Sequence, residues 1–228
     1  MRSIIIGDIH GCNKELCTLL EKVKPEKNDQ IILLGDLFDR GPESWEVFYK
    51  VKSLEREYGD RFILLRGNHE EFLLKEKLTI KERMIWERVG KGTTVTSFKK
   101  HGEKMEEAIP WIEKHCRMYY KGNGFQCVHA GLLVDPIEAN DIETMIHDHG
   151  IAMKNCYKGP LTIVGHIGIE KPTYYDGQGE AGKAVEYDEE MSLPENGVIC
   201  IDTGCGKGGK LTAMVIEERV FRLFDSNS

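Results

Sequence analysis

Six short clusters of acidic, histidine, asparagine and arginine residues contain the side chains best suited to bind metal or to take part in catalysis. Each cluster follows an apolar run. The clusters are Gly7-Asp8-Ile9-His10-Gly11, Gly35-Asp36-Leu37-Phe38-Asp39-Arg40-Gly41, Gly67-Asn68-His69-Glu70, Val128-His129-Ala130-Gly131, Gly165-His166 and Ile201-Asp202-Thr203-Gly204. Together they supply carboxylate, imidazole, amide and guanidinium groups, which suit a two-metal centre acting on a phosphate ester. The sequence therefore predicts such a centre.

The apolar runs predict how these distant clusters meet. They are Ile4-Ile5-Ile6, Ile31-Ile32-Leu33-Leu34, Phe62-Ile63-Leu64-Leu65, Phe125-Gln126-Cys127-Val128 and Leu161-Thr162-Ile163-Val164. Continuous apolar runs of this length are typical of strands buried on both faces of a largely parallel sheet. The carboxyl ends of parallel strands share one edge, where α/β proteins usually form a site, so we expect one cleft.

Length and composition favour one globular domain over residues 1–228. The chain has 228 residues and 40% hydrophobic content, and no linker rich in proline, glycine or serine interrupts it. A net charge of −7 argues against general nucleic-acid or membrane binding. Positive charge for a phosphate would be local, because two divalent ions less the carboxylates of Asp8 and Asp36 leave roughly +2 before Arg40 is counted.

Cysteine use and the amino terminus both favour a cytoplasmic protein. The seven cysteines are spread along the chain without a C-x-x-C pair, which predicts free thiols in a reducing compartment. The apolar run before Gly7 is too short for a secretory signal or a membrane span.

Between the apolar runs, the pattern predicts helices over about 12–24, 43–58, 68–78, 80–90, 103–117 and 138–149. The alternation of strand and helix in the first eighty residues indicates βαβ units. After Gly197 the pattern predicts three strands, over 198–202, 210–216 and 219–224, and the last two form a hairpin. We expect this carboxyl-terminal part to be a meander in a second sheet.

Five of the clusters resemble the signature of the calcineurin-like metallophosphoesterases, and within them the phosphoprotein phosphatases of bacteria and phages. The matching motifs are Asp8-x-His10, Gly35-Asp36-x-x-Asp39-Arg40-Gly41, Gly67-Asn68-His69-Glu70, His129-Ala130-Gly131 and Gly165-His166. Any single motif is weak evidence for the family, but five motifs in the family's order, over about residues 3–215, are highly specific evidence. The resemblance implies an α/β fold, a four-layer α/β/β/α sandwich of two mixed sheets flanked by helices, with a helical cap segment over about 70–117.

The resemblance also implies a ligand set for two metal ions. Asp8 and His10 would bind the first ion and Asp36 would bridge both, while the second would be completed by Asn68, His129 and His166. Nitrogen and oxygen ligands without a thiolate suit manganese, iron or zinc better than an iron–sulfur cluster, and the imidazoles argue against a pure magnesium or calcium site. Manganese is the first choice, with iron or zinc as alternatives.

Hydrolysis of a phosphate ester also needs a proton donor and a phosphate clamp. We assign His69 as the general acid, with Asp39 orienting it and raising its pKa, and Arg40 as the residue that holds the phosphate. A single histidine or aspartate after a strand is more often a structural residue, but six in family order reverse those odds. Arg66 and Glu70 are better explained as an ion pair that braces the loop.

One departure from the family pattern concerns the phosphate clamp. Members usually supply a second arginine between the His-Ala-Gly and Gly-His motifs, but no arginine lies between His129 and His166. The comparable place reads Ile146-His147-Asp148, which makes His147 a candidate replacement, with Lys154 and Lys158 as alternatives. Each would give a weaker clamp than a bidentate arginine, which leaves the substrate class open.

Three further features have two readings each. Trp86 lies in the expected cap, where it either touches substrate or packs. Asp202 either reaches the site or forms a turn that closes the second sheet. The acidic residues between 186 and 195 are either a solvated face or a preference for basic peptides. His101, His115 and His149 have no informative spacing, so we expect surface or core roles for them.

The preferred function is therefore a metal-dependent phosphatase acting on phosphoserine or phosphothreonine in proteins. The alternative is a hydrolase of dinucleoside polyphosphates such as diadenosine tetraphosphate, and the partner would then be a nucleotide. A hypothesis of another class is a binding scaffold without catalysis. The sequence does not indicate an oligomeric state.

Overall fold

Two β-sheets pack face to face in the computed structural model, which describes residues 2–227. The strands, in chain order, are β1 Ser3–Ile6, β2 Gln30–Leu33, β3 Phe62–Leu65, β4 Cys116–Arg117, β5 Tyr119–Lys121, β6 Gln126–Val128, β7 Thr162–Val164, β8 Thr173–Tyr175, β9 Lys183–Ala184, β10 Met191–Ser192, β11 Val198–Cys200, β12 Thr212–Glu217 and β13 Val220–Asp225.

Both sheets are mixed, and each has three parallel strands that lead into polar clusters. The first sheet has the order β10-β13-β12-β1-β2-β3-β4, and β1, β2 and β3 run parallel. The second has the order β5-β6-β7-β11-β8-β9, and β6, β7 and β11 run parallel. The six clusters predicted to carry chemistry follow these six strands.

The helices are α1 Asn13–Val23, α2 Ser44–Tyr58, α3 Asn68–Leu74, α4 Ile80–Val89, α5 Lys91–Lys100, α6 Ile109–His115, α7 Ile142–His147 and α8 Gly150–Met153. The first two and α4 match the predicted bounds closely. Three predicted helices are shorter than expected: 68–78 ends at Leu74, 103–117 becomes a 3-10 turn followed by α6, and 138–149 becomes the end of a 3-10 turn followed by α7.

The sequence pattern did not predict α5, because its glycine and threonine residues have low intrinsic helix propensity. The helix forms nevertheless, because Thr94, Ser97 and Phe98 are buried on one face and α5 packs against α2. Packing of a buried face often outweighs propensity in this way.

The alternation of side chains along the strands produces four layers. Ile4 and Ile6 of β1 pack into the core under α1 and α2, while Ile5 points into the core between the sheets. On the far side, Val164 and Val198 pack in a third cluster with residues of α7 and α8. The predicted α/β/β/α sandwich is therefore confirmed.

The predicted carboxyl-terminal meander is wrong. Strand β11 joins the second sheet beside β7, whereas the hairpin β12–β13 joins the first sheet, where β12 pairs antiparallel with β1. The hairpin itself is confirmed. Alternating hydrophobicity indicates a strand with a buried face, but it does not indicate which of two stacked sheets buries that face.

A single domain over residues 1–228 stays a prediction. Its two end residues, Met1 and Ser228, lie outside the described residues. Within residues 2–227, none of the helices combines the length and the apolar character needed to cross a membrane.

Candidate metal centre

Three of the six loops that follow the parallel strands, those after β1, β2 and β7, hold non-glycine residues in the left-handed backbone conformation that normally favours glycine. His10, Asp36 and His166 have φ values of 47°, 51° and 65°, and Asp39 and Arg40 have values of 69° and 65°. Such conformations cost of order 1–3 kcal/mol each and concentrate at functional sites. All five are residues that the sequence assigned to the site.

Asp36 lies between two groups of candidate metal ligands. Its Oδ2 atom is 3.5 Å from Nε2 of His10, and its Oδ1 atom is 3.6 Å from Nε2 of His129. One group consists of His10, Asp36 and His69, and the other of Asp36, His129 and His166; the donor atoms within each group lie within 4.8 Å of one another. The shared carboxylate fits the predicted bridge between two ions.

Backbone carbonyls orient two of the predicted histidine ligands. Nδ1 of His10 is 2.9 Å from the carbonyl oxygen of Phe38, and Nδ1 of His129 is 2.8 Å from that of Leu34. A protonated Nδ1 that donates to a carbonyl leaves Nε2 with a free lone pair, and here each Nε2 faces Asp36.

Burial keeps the predicted histidine ligands neutral. It lowers the pKa of His10 well below its usual range, lowers the pKa of His129, and lowers the pKa of His166 to about 3. Burial also opposes ionisation of Asp36, but the surrounding histidines, among which His69 favours the protonated form, outweigh burial and lower the pKa of Asp36. Neutral imidazoles and an ionised carboxylate are the forms that bind metal.

Asp8 and Asn68 are the remaining predicted ligands, and among residues 2–227 Asp8 belongs to neither of the two donor groups. Oδ2 of Asp8 accepts a hydrogen bond of 2.9 Å from the backbone N–H of His166, and Oδ1 of Asn68 is 3.0 Å from Nδ1 of His166 and 3.2 Å from Nε2 of His129. Within residues 2–227, Oδ1 of Asp8 and Nε2 of His10 are buried without a hydrogen-bond partner. Buried polar atoms without partners are costly, and this nitrogen and oxygen set suits manganese, iron or zinc. The residues therefore fit a pair of such ions.

Asp39 holds His69 and is itself held by the cap segment. Nδ1 of His69 is 2.6 Å from Oδ2 of Asp39, which also accepts a hydrogen bond of 2.8 Å from Nε1 of Trp86. Oδ1 of Asp39 accepts a hydrogen bond of 2.7 Å from the hydroxyl of Thr94. Burial opposes protonation of His69, but Asp36 and Asp39 outweigh burial and raise its pKa. His69 thus differs from the predicted ligands, because its surroundings favour the protonated form that a general acid needs.

Glu70 braces the site, although not in the predicted way. The expected ion pair with Arg66 is wrong, because Arg66 pairs with Glu71 at 2.5 Å. Glu70 is instead fully buried and accepts hydrogen bonds of 2.7, 2.8 and 3.0 Å from the backbone N–H groups of Asp36, Leu37 and Gly67. It points from the first turn of α3 to the loop that carries Asp36, which places it out of reach of Arg66.

The candidates for phosphate binding lie in different surroundings. The side chain of His147 is 36% exposed and its ring centre is 6.2 Å from that of His166, so its predicted role in phosphate binding stays a prediction. Lys154 and Lys158 line a cavity of about 320 Å³ next to Tyr157. Arg40 follows Asp39 directly; burial raises the pKa of Asp8, and the positive charge of Arg40 partly opposes that rise.

A family model described as calcineurin-like phosphoesterase matches residues 1–201. The chain belongs to this family. The match includes the loops that carry all six predicted metal ligands, and the family assignment made from the five motifs is therefore confirmed.

Curated relatives of this chain include two bacterial proteins named bis(5'-nucleosyl)-tetraphosphatase, symmetrical. The protein of Pseudomonas fluorescens is 33% identical over 135 residues, which are 58% of this chain and 44% of the relative. The protein of Pasteurella multocida is 34% identical over 137 residues, which are 59% of this chain and 46% of the relative. The chain therefore spans about half the length of the curated relatives it matches.

Solved structures share the fold at low identity. A metallophosphoesterase from Sphaerobacter thermophilus superposes with a TM-score of 0.67 at 16% identity, covering 99% of this chain and 88% of that chain. A protein serine/threonine phosphatase from Saccharomyces cerevisiae superposes with a TM-score of 0.54 at 14% identity, covering 100% and 81%. These likenesses support the fold of the phosphoesterase.

Two residues near the candidate metal centre were not assigned to it from the sequence. Nε2 of His149 lies 2.8 Å from Nε2 of His166, so His149 reaches the centre although its spacing gave no sign of this. Asp202 is 2% exposed, and its charge affects the pKa of Asp8. For Asp202 a signal existed, because its cluster follows a parallel strand like the other five.

Proposed function

We propose that this chain hydrolyses bis(5'-nucleosyl) tetraphosphates with the help of two bound metal ions, with manganese as the first choice. The observation that carries the proposal is the identity of 33–34% to proteins named symmetrical tetraphosphatases. The donors grouped around Asp36 provide a place for the ions that such chemistry needs. Symmetrical cleavage would break the central phosphoanhydride and release two nucleoside diphosphates.

The roles of the side chains follow from their surroundings. Asp8, His10 and Asp36 would hold one ion, and Asp36, Asn68, His129 and His166 the other. When bound, two such ions make hydroxide available near neutral pH and neutralise charge on the phosphoryl oxygens. His69 then gives its Nε2 proton to the leaving phosphate oxygen, while Asp39 holds Nδ1 and fixes the ring. Arg40 would bind a phosphoryl oxygen pair through its planar guanidinium group.

A serine/threonine protein phosphatase is the second candidate, and it was the preferred reading of the sequence. The motifs of the phosphoprotein phosphatases support it, and the low-identity likeness to the yeast phosphatase adds only the shared fold. The comparisons favour the tetraphosphate substrate instead, because the relatives above 30% identity described here are named tetraphosphatases. The free state of all seven cysteines supports cytoplasmic residence for either candidate.

A substrate panel with added Mn²⁺ tests the proposal. Diadenosine tetraphosphate and a phosphothreonine peptide are compared at equal concentration, and the nucleotide products are separated by ion-exchange chromatography. We expect faster turnover of the tetraphosphate, with two molecules of ADP per substrate. Faster release of phosphate from the peptide would favour the second candidate. Turnover of neither, with metal bound, would favour a scaffold without catalysis.

A further inference from the structure

Asp202 presents a buried carboxylate oxygen that has no hydrogen-bond partner in the described part of the chain. The residue follows β11 and is 2% exposed. Its Oδ1 atom accepts a hydrogen bond of 2.9 Å from the backbone N–H of Gly204, which accounts for the turn. Its Oδ2 atom is buried and has no hydrogen-bond partner among residues 2–227. A turn explains the first oxygen but not the second, and an unpaired buried carboxylate oxygen is costly.

The backbone brings Asp202 next to the predicted ligands of the first ion. Gly7 and Ile201 approach so closely that a Cβ atom on Gly7 would lie 2.8 Å from the carbonyl oxygen of Ile201. Asp8 and Asp202 are the next residues of these two chain segments. Three buried atoms in this region lack partners among the described residues: Oδ1 of Asp8, Nε2 of His10 and Oδ2 of Asp202. The first two are donors predicted for the first ion.

The predicted ligand sets are unequal without Asp202. The second ion would have four protein donors, from Asp36, Asn68, His129 and His166, whereas the first would have three, from Asp8, His10 and Asp36. Ions such as Zn²⁺ take at least four ligands. The first ion could therefore bind another protein group, either directly or through a water molecule that this group holds.

Charge leads to the same conclusion. Asp8, Asp36 and Asp202 are all buried, with exposures of 2%, 1% and 2%. Three carboxylates buried close together repel one another unless a cation compensates them. A cation between these carboxylates would turn their repulsion into attraction.

We propose that Asp202 is the fourth protein group of the first metal site, where its free oxygen helps to retain the ion. The inference rests on the two-metal centre of the proposed function but not on the identity of the substrate. It also explains why the sixth polar cluster follows a parallel strand at the same edge as the other five.

Asp202→Asn separates the metal role from the turn. Asparagine keeps the Oδ1 acceptor for Gly204 but removes the negative charge. We expect titration calorimetry with Mn²⁺ to show one ion bound as in the wild type and the other bound about 10–100-fold more weakly, the loss typical of groups that support a metal site. Metal analysis after dialysis should then find one ion per chain. The matched control is Asp141→Asn, because Asp141 is exposed and its Oδ1 also accepts a backbone N–H, from Thr144; it should bind both ions normally.

Thermal melting provides a second readout. Without metal, Asp202→Asn should melt at the wild-type temperature or higher, since it removes an unpaired buried charge, and Mn²⁺ should stabilise it less than the wild type. Asp202→Ser, whose hydroxyl can accept from Gly204, should lose the same ion. Two ions bound with wild-type affinity in either variant would overturn the proposal. Because binding is measured without substrate, a protein that loses the ion in Asp202→Asn but cleaves no tetraphosphate would support this inference and refute only the proposed function.

Discussion

Nδ1 of His69 lies 2.6 Å from Oδ2 of Asp39, and both residues are 1% exposed. The same carboxylate oxygen accepts a hydrogen bond from Nε1 of Trp86, so a residue of the cap segment holds Asp39 in place beside His69. Nε2 of His69 is 3.9 Å from Oδ2 of Asp36, the carboxylate between the two groups of candidate ligands. His69 is therefore held beside the predicted metal centre, although it is not one of the six predicted metal ligands.

Replacing His69 tests the general acid. His69→Asn should lower kcat by roughly 10²–10⁴-fold, the range expected for a lost proton donor, while metal content stays at two ions per chain. Steady-state kinetics and metal analysis check both values. His115→Asn serves as the control, since the contacts of His115 are with Trp111 and Glu55, outside the candidate metal centre. A normal kcat in His69→Asn would remove this residue from its role.

Replacing Asp36 tests the bridge. Asp36→Asn should deplete both ions, because the shared carboxylate is a member of both candidate ligand groups. Metal analysis after dialysis measures the loss, and circular dichroism shows whether the fold persists. Loss of a single ion, or retention of two, would contradict the bridging arrangement.

Replacing Trp86 distinguishes the two roles considered for it. Trp86→Phe removes the hydrogen bond to Asp39 and keeps an aromatic ring against Phe72. If Trp86 positions Asp39, kcat should fall by roughly 10–100-fold with little change in KM, since one charge-assisted hydrogen bond contributes ~1.5–3 kcal/mol. A contact with substrate would raise KM instead. Trp45→Phe is the control, because Nε1 of Trp45 has no hydrogen-bond partner within residues 2–227.

Replacing Glu70 tests the brace under the Asp36 loop. Glu70→Gln keeps the size of the side chain but turns one acceptor oxygen into a donor that faces backbone N–H groups. At least one of the three hydrogen bonds is then lost, and the free energy of unfolding should fall by about 1–3 kcal/mol. Denaturant unfolding measures the change.

The neighbouring Glu71→Gln provides the matched control. The pair of Glu71 with Arg66 is partly exposed, and such pairs contribute about 0–1 kcal/mol. An equal decrease in the free energy of unfolding in the two variants would show that the hydrogen bonds of Glu70 to the backbone stabilise the fold no more than the ion pair of Glu71.

Particular residues show where prediction from the sequence stopped. The helix over Lys91–Lys100 was missed because its residues favour helix weakly and only packing against α2 decides it. The hairpin after Gly197 was predicted, but its sheet was not, since strand periodicity is the same in either sheet. Glu70 was expected to pair with Arg66, and only the direction of its side chain shows that it binds the backbone of the Asp36 loop.

The sequence by itself determined the family, the four-layer sandwich and the residues expected to bind metal, because apolar runs and the motifs that end them are local patterns. The tertiary structure decided what those patterns cannot contain: that Trp86 and Thr94 hold Asp39, that His149 contacts His166, and that the free oxygen of Asp202 lies buried near Asp8. These contacts join segments far apart in the chain, and their distances depend on how two sheets stack and how the loops turn at one shared edge.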